Sequence, residues 1–477
     1  MTNSRNLLIL IIAIIILIPL SFWGIKNLTQ KKLTPFPQAQ KTPKPFFQNP
    51  NINVILISID TLDPAHLGVY GSTKKTSPNI DEFSKDAQVY TNVFTLIPHT
   101  WDSFYTLFTG RDDVLKNEEI SQTSSNMDEW EPLKATLPKI LRQNGYLTSA
   151  FVTNHVIGTL TPFFKKSFEE FNFIDQSQNP QQSGLDSFIP DYDNSKKVTD
   201  STIDWLNKNG GKKFFLWMHF TNPHLPYNPP KEYLCKIDPD CNIPIYKELL
   251  DNPLSIQSRI QNCSDKTPVP VVEAAKSLYD AEILSTDEQI GKILSYLKDI
   301  NLYQNSLIVI YGDHGEGFSH GIFEHGYSLY NSEVKLPLII KKPNSNQGEK
   351  VNTLMDNSDI MPLILESLGV GSKNAERKYV YMLANPSKGN KYGVTDGQFK
   401  YIFSDKPGCF YNNLEEELYN LETDPLESNN LIEKDKKKLK QLKSRLLDQI
   451  SLWGRIRNIG KLENDKEIIE KLKKLGY

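Results

Sequence analysis

Three short apolar runs limit what this chain can fold into: "VILISID" (54–60), "FFLWMHF" (214–220) and "SLIVIYGD" (306–313). Each is apolar at consecutive positions instead of alternating ones, and each is bounded by turn-forming residues. That pattern fits a strand buried on both faces, the usual state of a strand inside a parallel sheet. "PLIIKKP" (337–343) reads as a fourth strand. Helical patterns lie between them. "LPKILRQNG" ends at a glycine, and "VEAAKSLYDAEILSTDEQIGKILSYLKDI" spaces its apolar residues by three and four. Strands alternating with helices predict an α/β domain built on a mostly parallel central sheet flanked by helices.

The ends of those strands carry the chemistry. Asp60 closes the first, His219 and His224 accompany the second, and Asp313 and His314 close the third. Sites in open parallel sheets form beyond the carboxyl ends of the strands. A single Asp there is ordinarily a turn or a helix cap, whereas three Asp- and His-bearing ends together point to a metal site.

The flanks read differently. From Asn6 to Ile25 no residue is charged, and a helix of that length reaches about the thickness of a bilayer's hydrocarbon core. No small-residue cleavage site follows, and Trp23 suits the membrane interface, so residues 1–27 are expected to be an uncleaved membrane anchor, with a signal peptide as the alternative. Lysines 26, 31, 32, 41 and 44 follow the segment, and by the charge rule they alone would keep the domain cytoplasmic. Its place at the extreme N-terminus instead favours export, giving an anchored protein with an extracytoplasmic (periplasmic or extracellular) catalytic domain. Residues 28–51 are proline-rich and read as an extended tether. The catalytic domain is expected over 52–377 and a C-terminal subdomain over 378–477. In the latter, "YVYML", "YGVTDGQFKYIFS" and "CFYNNLEEELYNL" predict a small antiparallel sheet, and "EKDKKKLKQLKSRLLDQISLW" a packed helix with a solvated lysine face. A formal net charge of −3 gives no support to nucleic-acid binding. The four cysteines are 235, 241, 263 and 409, and in an exported domain Cys235–Cys241 is the expected disulfide.

In order along the chain, "ISIDTLDPAHLGVYG" (57–71), "SPNIDEFSKDAQVYTNVF" (77–94), "FFLWMHFTNPHLPYNPP" (214–230), "YGDHGEGFSHGIFEHGYSLYNSEVKLPLII" (311–340) and "ELYNLETDPLESNNL" (417–431) resemble the sulfatase family of the alkaline phosphatase superfamily. The resemblance runs from about residue 52 to the end and implies the alkaline-phosphatase-like fold. In that family the nucleophile is a cysteine, oxidised to formylglycine, in Cys-x-Pro-x-Arg ten residues before the glycine of a Leu-Thr-Gly phrase. Counting back from Gly110 reaches Thr100, with Asp102 in place of the proline and Phe104 in place of the arginine. Formylglycine cannot form there, and the threonine-nucleophile relatives of the superfamily are the nearer guide. Ser103 is a rival whose spacing to Gly110 is wrong.

A hydroxyl attacks poorly unless a cation stabilises its alkoxide. The resemblance assigns one divalent metal to Asp60, Asp313, His314 and the Thr100 oxygen. Asp60-Thr61 and Asp313-His314 replace the family's Asp-Asp and Asp-Asn, which moves preference from Ca²⁺ toward Mn²⁺ or Zn²⁺, with Ca²⁺ or Mg²⁺ as alternatives. His224 is expected to contact the anion or leaving group and His325 to bind substrate. His219 reads as structural, and His99 as a lesser candidate base. The helix "YDAEILSTDEQIG" carries no histidine, so a second metal is not expected. The leading expectation is a hydrolase of phosphoric or sulfuric esters whose substrate is a small anionic ester or an envelope glycan or lipid. A phosphoglycerol- or phosphoethanolamine-type transferase and a non-catalytic binding protein are the alternatives.

Overall fold

The computed structural model describes residues 52–112, 135–159, 162–174, 193–251, 268–318, 320, 324–370, 376–384, 390–404 and 415–457. The anchor and tether, Cys263, Cys409 and the last twenty residues lie outside this set. No helix among the described residues is long and apolar enough to cross a membrane.

The strands are, in chain order, β1 (Asn53–Ile59), β2 (Gln88–Tyr90), β3 (Val93–Phe94), β4 (Leu147–Val152), β5 (Glu170–Phe173), β6 (Phe214–Phe220), β7 (Ser306–Gly312), β8 (Leu338–Lys341), β9 (Glu349–Val351), β10 (Met355–Asp356), β11 (Val380–Ala384), β12 (Lys391–Thr395), β13 (Phe399–Ser404) and β14 (Glu416–Asn420). Eight of them form the central sheet in the order β5-β4-β6-β1-β7-β8-β2-β9. From β5 to β7 every pairing is parallel, while β8 runs antiparallel to both β7 and β2. The sheet is therefore mostly parallel, as the uninterrupted apolar runs predict. Four of its strands (β2, β4, β5 and β9) were not anticipated. "LTSAFV" of β4 mixes Thr and Ser with apolar residues, and β2 and β9 are three residues each, too short to show a period.

Consecutive residues of a strand point to opposite faces, and here both faces are covered. Ile55, Ile57, Leu216, Met218, Ile308 and Ile310 pack on one side against α1 (Pro78–Ser84), α4 (Asp193–Asn209) and α5 (Val269–Asp299). Val54, Leu56, Phe215, Trp217, Leu307 and Val309 pack on the other against α2 (Thr100–Thr109), α3 (Leu137–Gln143) and α6 (Ile360–Ser367). Helix α3 stops close to Gly145, whose φ of +83° is the left-handed conformation that glycine enters without strain.

The C-terminal sheet has the antiparallel order β11-β12-β13-β14, and helix α7 (Lys436–Arg457) buries Leu442, Leu446 and Trp453 against it. The same cluster includes Phe94, Leu96, Ile97 and Tyr105 from the segment leading into and forming α2. The Leu383 amide also donates to the Leu96 carbonyl (2.9 Å), so the small sheet braces the chain just ahead of Thr100. Cys235 and Cys241 form the expected disulfide.

Register does the rest. Ile59 of β1 lies opposite Phe220 of β6 and Gly312 of β7, so the next residues, Asp60 and Asp313, emerge side by side. Ile57 is completely buried at the centre of this three-strand unit. Ile57→Ala is expected to lower unfolding stability by about 2–5 kcal/mol, read as a lower urea midpoint with an unchanged slope.

Candidate metal centre and active site

Helix α2 begins at Thr100, so the hydroxyl sits at the positive end of the helix and is nearly buried, at 7% exposure. Its Oγ1 lies 3.1 Å from His314 Nε2 and 3.5 Å from Asp60 Oδ1. His314 Nε2 in turn lies 3.7 Å from Asp60 Oδ1 and 3.7 Å from Asp313 Oδ2. The structure thus brings together Asp60, Thr100, Asp313 and His314, the four residues the sequence assigned to a metal.

Their hydrogen bonds suit that use. Asp313 Oδ1 accepts from the Thr61 amide (3.1 Å) and its neighbour's amide (2.9 Å), while Oδ2 is buried without a partner. His314 Nδ1 faces the Gly315 carbonyl at 3.0 Å, so Nδ1 carries the hydrogen and Nε2 presents a lone pair to the centre. Ligand atoms about 2.1 Å from one cation are separated by roughly 3.0–4.2 Å, from neighbouring to opposite positions. The separations of 3.1–3.7 Å fall in that range. Residues with these donors fit a divalent metal.

Electrostatics agree. Burial and the adjacent Asp60 push the Asp313 carboxyl well above its ordinary range. Burial also acts to raise Asp60, but His224, His219 and His314 outweigh it and hold that carboxyl well below the usual range. Two carboxylates this close cannot both ionise in a dry site without a cation, so one retains its proton. Burial and His325 push His314 well below the ordinary imidazole value, as a neutral ligand requires.

A second group faces the first. The ring centroids of His325 and His314 are 4.3 Å apart, those of His224 and His325 5.0 Å, and those of His99 and His325 5.9 Å. His325 Nδ1 donates to Glu316 Oε1 (3.1 Å), and Glu316 Oε2 accepts from the Leu225 amide (3.4 Å) beside His224. One carboxyl group therefore holds the His325 ring directly and the backbone next to His224. His224 Nδ1 bonds the Leu225 carbonyl. Burial acts to lower its pKa, but attraction to Asp60 and Glu316 prevails, so its charged form is favoured more than in an ordinary imidazole. Burial, His224 and His99 push His325 well below the ordinary value. Gly326 is needed for space, since a Cβ there would lie 2.4 Å from His99 Nε2, and its φ is +83°.

Two neighbours of this group, Asn154 and Glu316, were not singled out in the sequence, and a third, His219, was read as structural. Asn154, after β4, donates to Asp60 Oδ2 at 2.6 Å. Glu316 holds the His325 ring. His219, read as structural, places Nε2 3.6 Å from Asp60 Oδ2. Asn154 lies in a segment with no motif, but Glu316 follows Asp-His-Gly directly and its proximity to the cluster was a usable signal. Ser103 is removed from the chemistry: Oγ donates to the Asp313 carbonyl (2.7 Å), lies 2.6 Å from Tyr311 Oη and accepts from Asn357 Nδ2 (3.1 Å). Phe104, at the arginine position, is fully buried, 4.9 Å from both the Trp217 and His219 rings. A surface cavity bordered by Gln88, Glu349 and Arg377, at the β9 edge, contains none of these residues.

Residues 52–370 match the family model described as Sulfatase. The chain is 24% identical to human iduronate 2-sulfatase over 66% of its own length and 65% of that protein's. It is also 24% identical to an arylsulfatase of Clostridium perfringens, over 83% of this chain and 94% of the relative. Among solved structures, a protein in complex with its substrate D-glucosamine-2-N,6-O-disulfate superposes with a TM-score of 0.64 at 20% identity, covering 87% of this chain and 99% of that one. The phosphonate monoester hydrolase of Agrobacterium radiobacter superposes with a TM-score of 0.62 at 20% identity, covering 85% and 95%.

Because the converging donors stabilise a cation only when folded, a metal at 100 times its Kd is expected to add about 2.7 kcal/mol to stability. Asp313→Asn is expected to lose most of this gain, read as the metal-dependent rise in Tm of stripped protein. Ser103→Ala is expected to lower stability by about 1–3 kcal/mol through the hydrogen-bond partners it strands, and to keep the metal-dependent rise.

Proposed function

We propose that this chain, which belongs to the sulfatase family, is a metal-dependent ester hydrolase with Thr100 as nucleophile and phosphoric esters as its better substrates. The observation that carries this reading is the position of Thr100 Oγ1, among the metal donors and at the start of a helix.

Asp60, Asp313, His314 and Thr100 would hold the metal, which when bound favours the ionised hydroxyl and neutralises charge on the transferred group. Thr100 Oγ1 attacks phosphorus, forming a phospho-threonine as the bond to the leaving oxygen breaks. His224 supports departure: its Nδ1 is engaged with the Leu225 carbonyl, so its Nε2 is the atom available to protonate the leaving oxygen. Glu316 keeps His325 oriented toward the transferred group. Water then attacks phosphorus to release Thr100. An ester of threonine has no aldehyde to collapse to, so this second attack must occur at the transferred centre, which is feasible at phosphorus and far harder at sulfur.

The domain is placed outside the cytoplasm and held at a membrane by residues 6–25. The Cys235–Cys241 disulfide supports an oxidising compartment. Relatives and structural neighbours named for sulfated sugars make an anionic glycan ester the leading natural substrate class.

With one metal-loaded preparation, hydrolysis of an aryl phosphodiester or monoester is expected to exceed that of the matching aryl sulfate by at least about tenfold, roughly 1.4 kcal/mol in barrier. Thr100→Ala is expected to abolish turnover and Thr100→Ser to retain part of it. A better sulfate ester that Thr100→Ala leaves untouched would remove Thr100 from the mechanism.

A further inference from the structure

His219 lies in β6, paired with β1 and β4 on its two sides, and is completely buried. A histidine that merely fills a core has both ring nitrogens satisfied. Here Nδ1 lies 2.9 Å from Ser58 Oγ, while Nε2 is buried with no hydrogen-bond partner. Nε2 points to the carboxylates: it is 3.6 Å from Asp60 Oδ2, and ligand atoms of His219, Asp60 and Asp313 all lie within 4.8 Å of one another. Asp313 Oδ2 is likewise unpartnered.

The hydrogen bonds of Ser58 determine which nitrogen of His219 carries the hydrogen. Ser58 Oγ has three neighbours: Trp217 Nε1 at 2.8 Å, the Met218 carbonyl at 3.1 Å and His219 Nδ1 at 2.9 Å. The indole can only donate, and a carbonyl can only accept. All three contacts are satisfied together in one arrangement, in which the hydroxyl donates to Met218 and accepts from both Trp217 and His219 Nδ1–H. In that arrangement the neutral ring presents its Nε2 lone pair to the two carboxylates, and without a metal the same nitrogen can hold a proton toward Asp60. Three acceptors converging in a dry interior repel one another unless a proton or a cation lies among them, and a bound cation displaces that proton.

We infer that His219 is a ligand of the same metal, its Nε2 joining Asp60 and Asp313 from the sheet side while His314 and Thr100 approach from the substrate side. Thr61, whose hydroxyl is buried without a partner, contributes only its backbone amide to Asp313. Two imidazoles and two carboxylates favour Zn²⁺ or Mn²⁺ over Ca²⁺, because nitrogen donors suit transition metals. This inference rests on the one-metal reading above, but not on which ester is cleaved.

The test counts nitrogen ligands. Stripped protein is loaded with one equivalent of Zn²⁺, and the imidazole number is read by X-ray absorption at the zinc edge, with affinity read by chelator competition. Two imidazoles are expected in the wild type and one in His314→Asn. His219→Asn, which can still reach Ser58 but leaves nothing at the Nε2 position, is also expected to show one, with a Kd for Zn²⁺ at least about tenfold higher, or roughly 1.4 kcal/mol. A single imidazole in the wild type overturns the inference, as does a His219→Asn protein that keeps the wild-type Kd. If His219→Asn does not fold, the wild-type count decides alone. Two imidazoles without esterase activity would uphold this ligand while refuting the hydrolase reading. Esterase activity with one imidazole would do the reverse, and failure to bind any metal would end both.

Discussion

Two buried carboxylates set side by side are the constraint on which the site depends. Parallel pairing of β1 with β7 puts Asp60 and Asp313 at adjacent strand ends, where the cost of two like charges in a dry interior must be met by a proton or a cation. Every other polar group nearby is arranged around that cost. Asn154 fixes one oxygen of Asp60, two backbone amides fix one oxygen of Asp313, and His314 is held with its lone pair inward. Thr100 enters the same space from the start of α2, so its hydroxyl and the acidic and imidazole groups form one assembly.

The C-terminal sheet serves this assembly from a distance. Lys400 of β13 and Glu427 form a fully buried ion pair at 2.7 Å, and both also bind Asn331, a few residues beyond His325. Breaking one side of such a pair leaves a buried charge and costs about 3–5 kcal/mol, so this link is rigid. The β11–Leu96 hydrogen bond braces the other approach, the chain entering α2. The histidine loop and the helix that begins at Thr100 are thereby anchored on the same small sheet.

The substrate side differs in character from the metal side. His224, His325 and His99 cluster beside the site, and Glu316 holds His325 by a hydrogen bond. Phe104 has become part of an aromatic core with Trp217 and His219 in place of a fixed cation. An anion bound here meets imidazoles whose charge depends on their neighbours, instead of a guanidinium that is always charged.

The sequence by itself determined the strands β1, β6 and β7, the mostly parallel sheet and the antiparallel C-terminal sheet, and it marked Asp60, Asp313 and His314 at strand ends; Thr100 came only from the resemblance to the sulfatase family, by its spacing to Gly110. These were legible because a doubly buried strand must be apolar at every position, and because an Asp or His at its end stands out against that background. Ser103 could be set aside only by its spacing to Gly110; the tertiary structure supplied the physical reason, three hydrogen bonds that consume its hydroxyl. His219 went the other way. It belongs to the Asp- and His-bearing strand ends, but its place inside the strand read as structural, and only the register, which sets it opposite Ser58 and beside Asp60, brings one nitrogen to the hydroxyl and the other toward the carboxylates. Asn154 and Glu316 likewise gained their roles from contacts with residues 91–94 positions away in the chain. Local pattern records what a residue must be to sit in its own element, whereas hydrogen-bond partners across the sheet are fixed only when the strands are aligned.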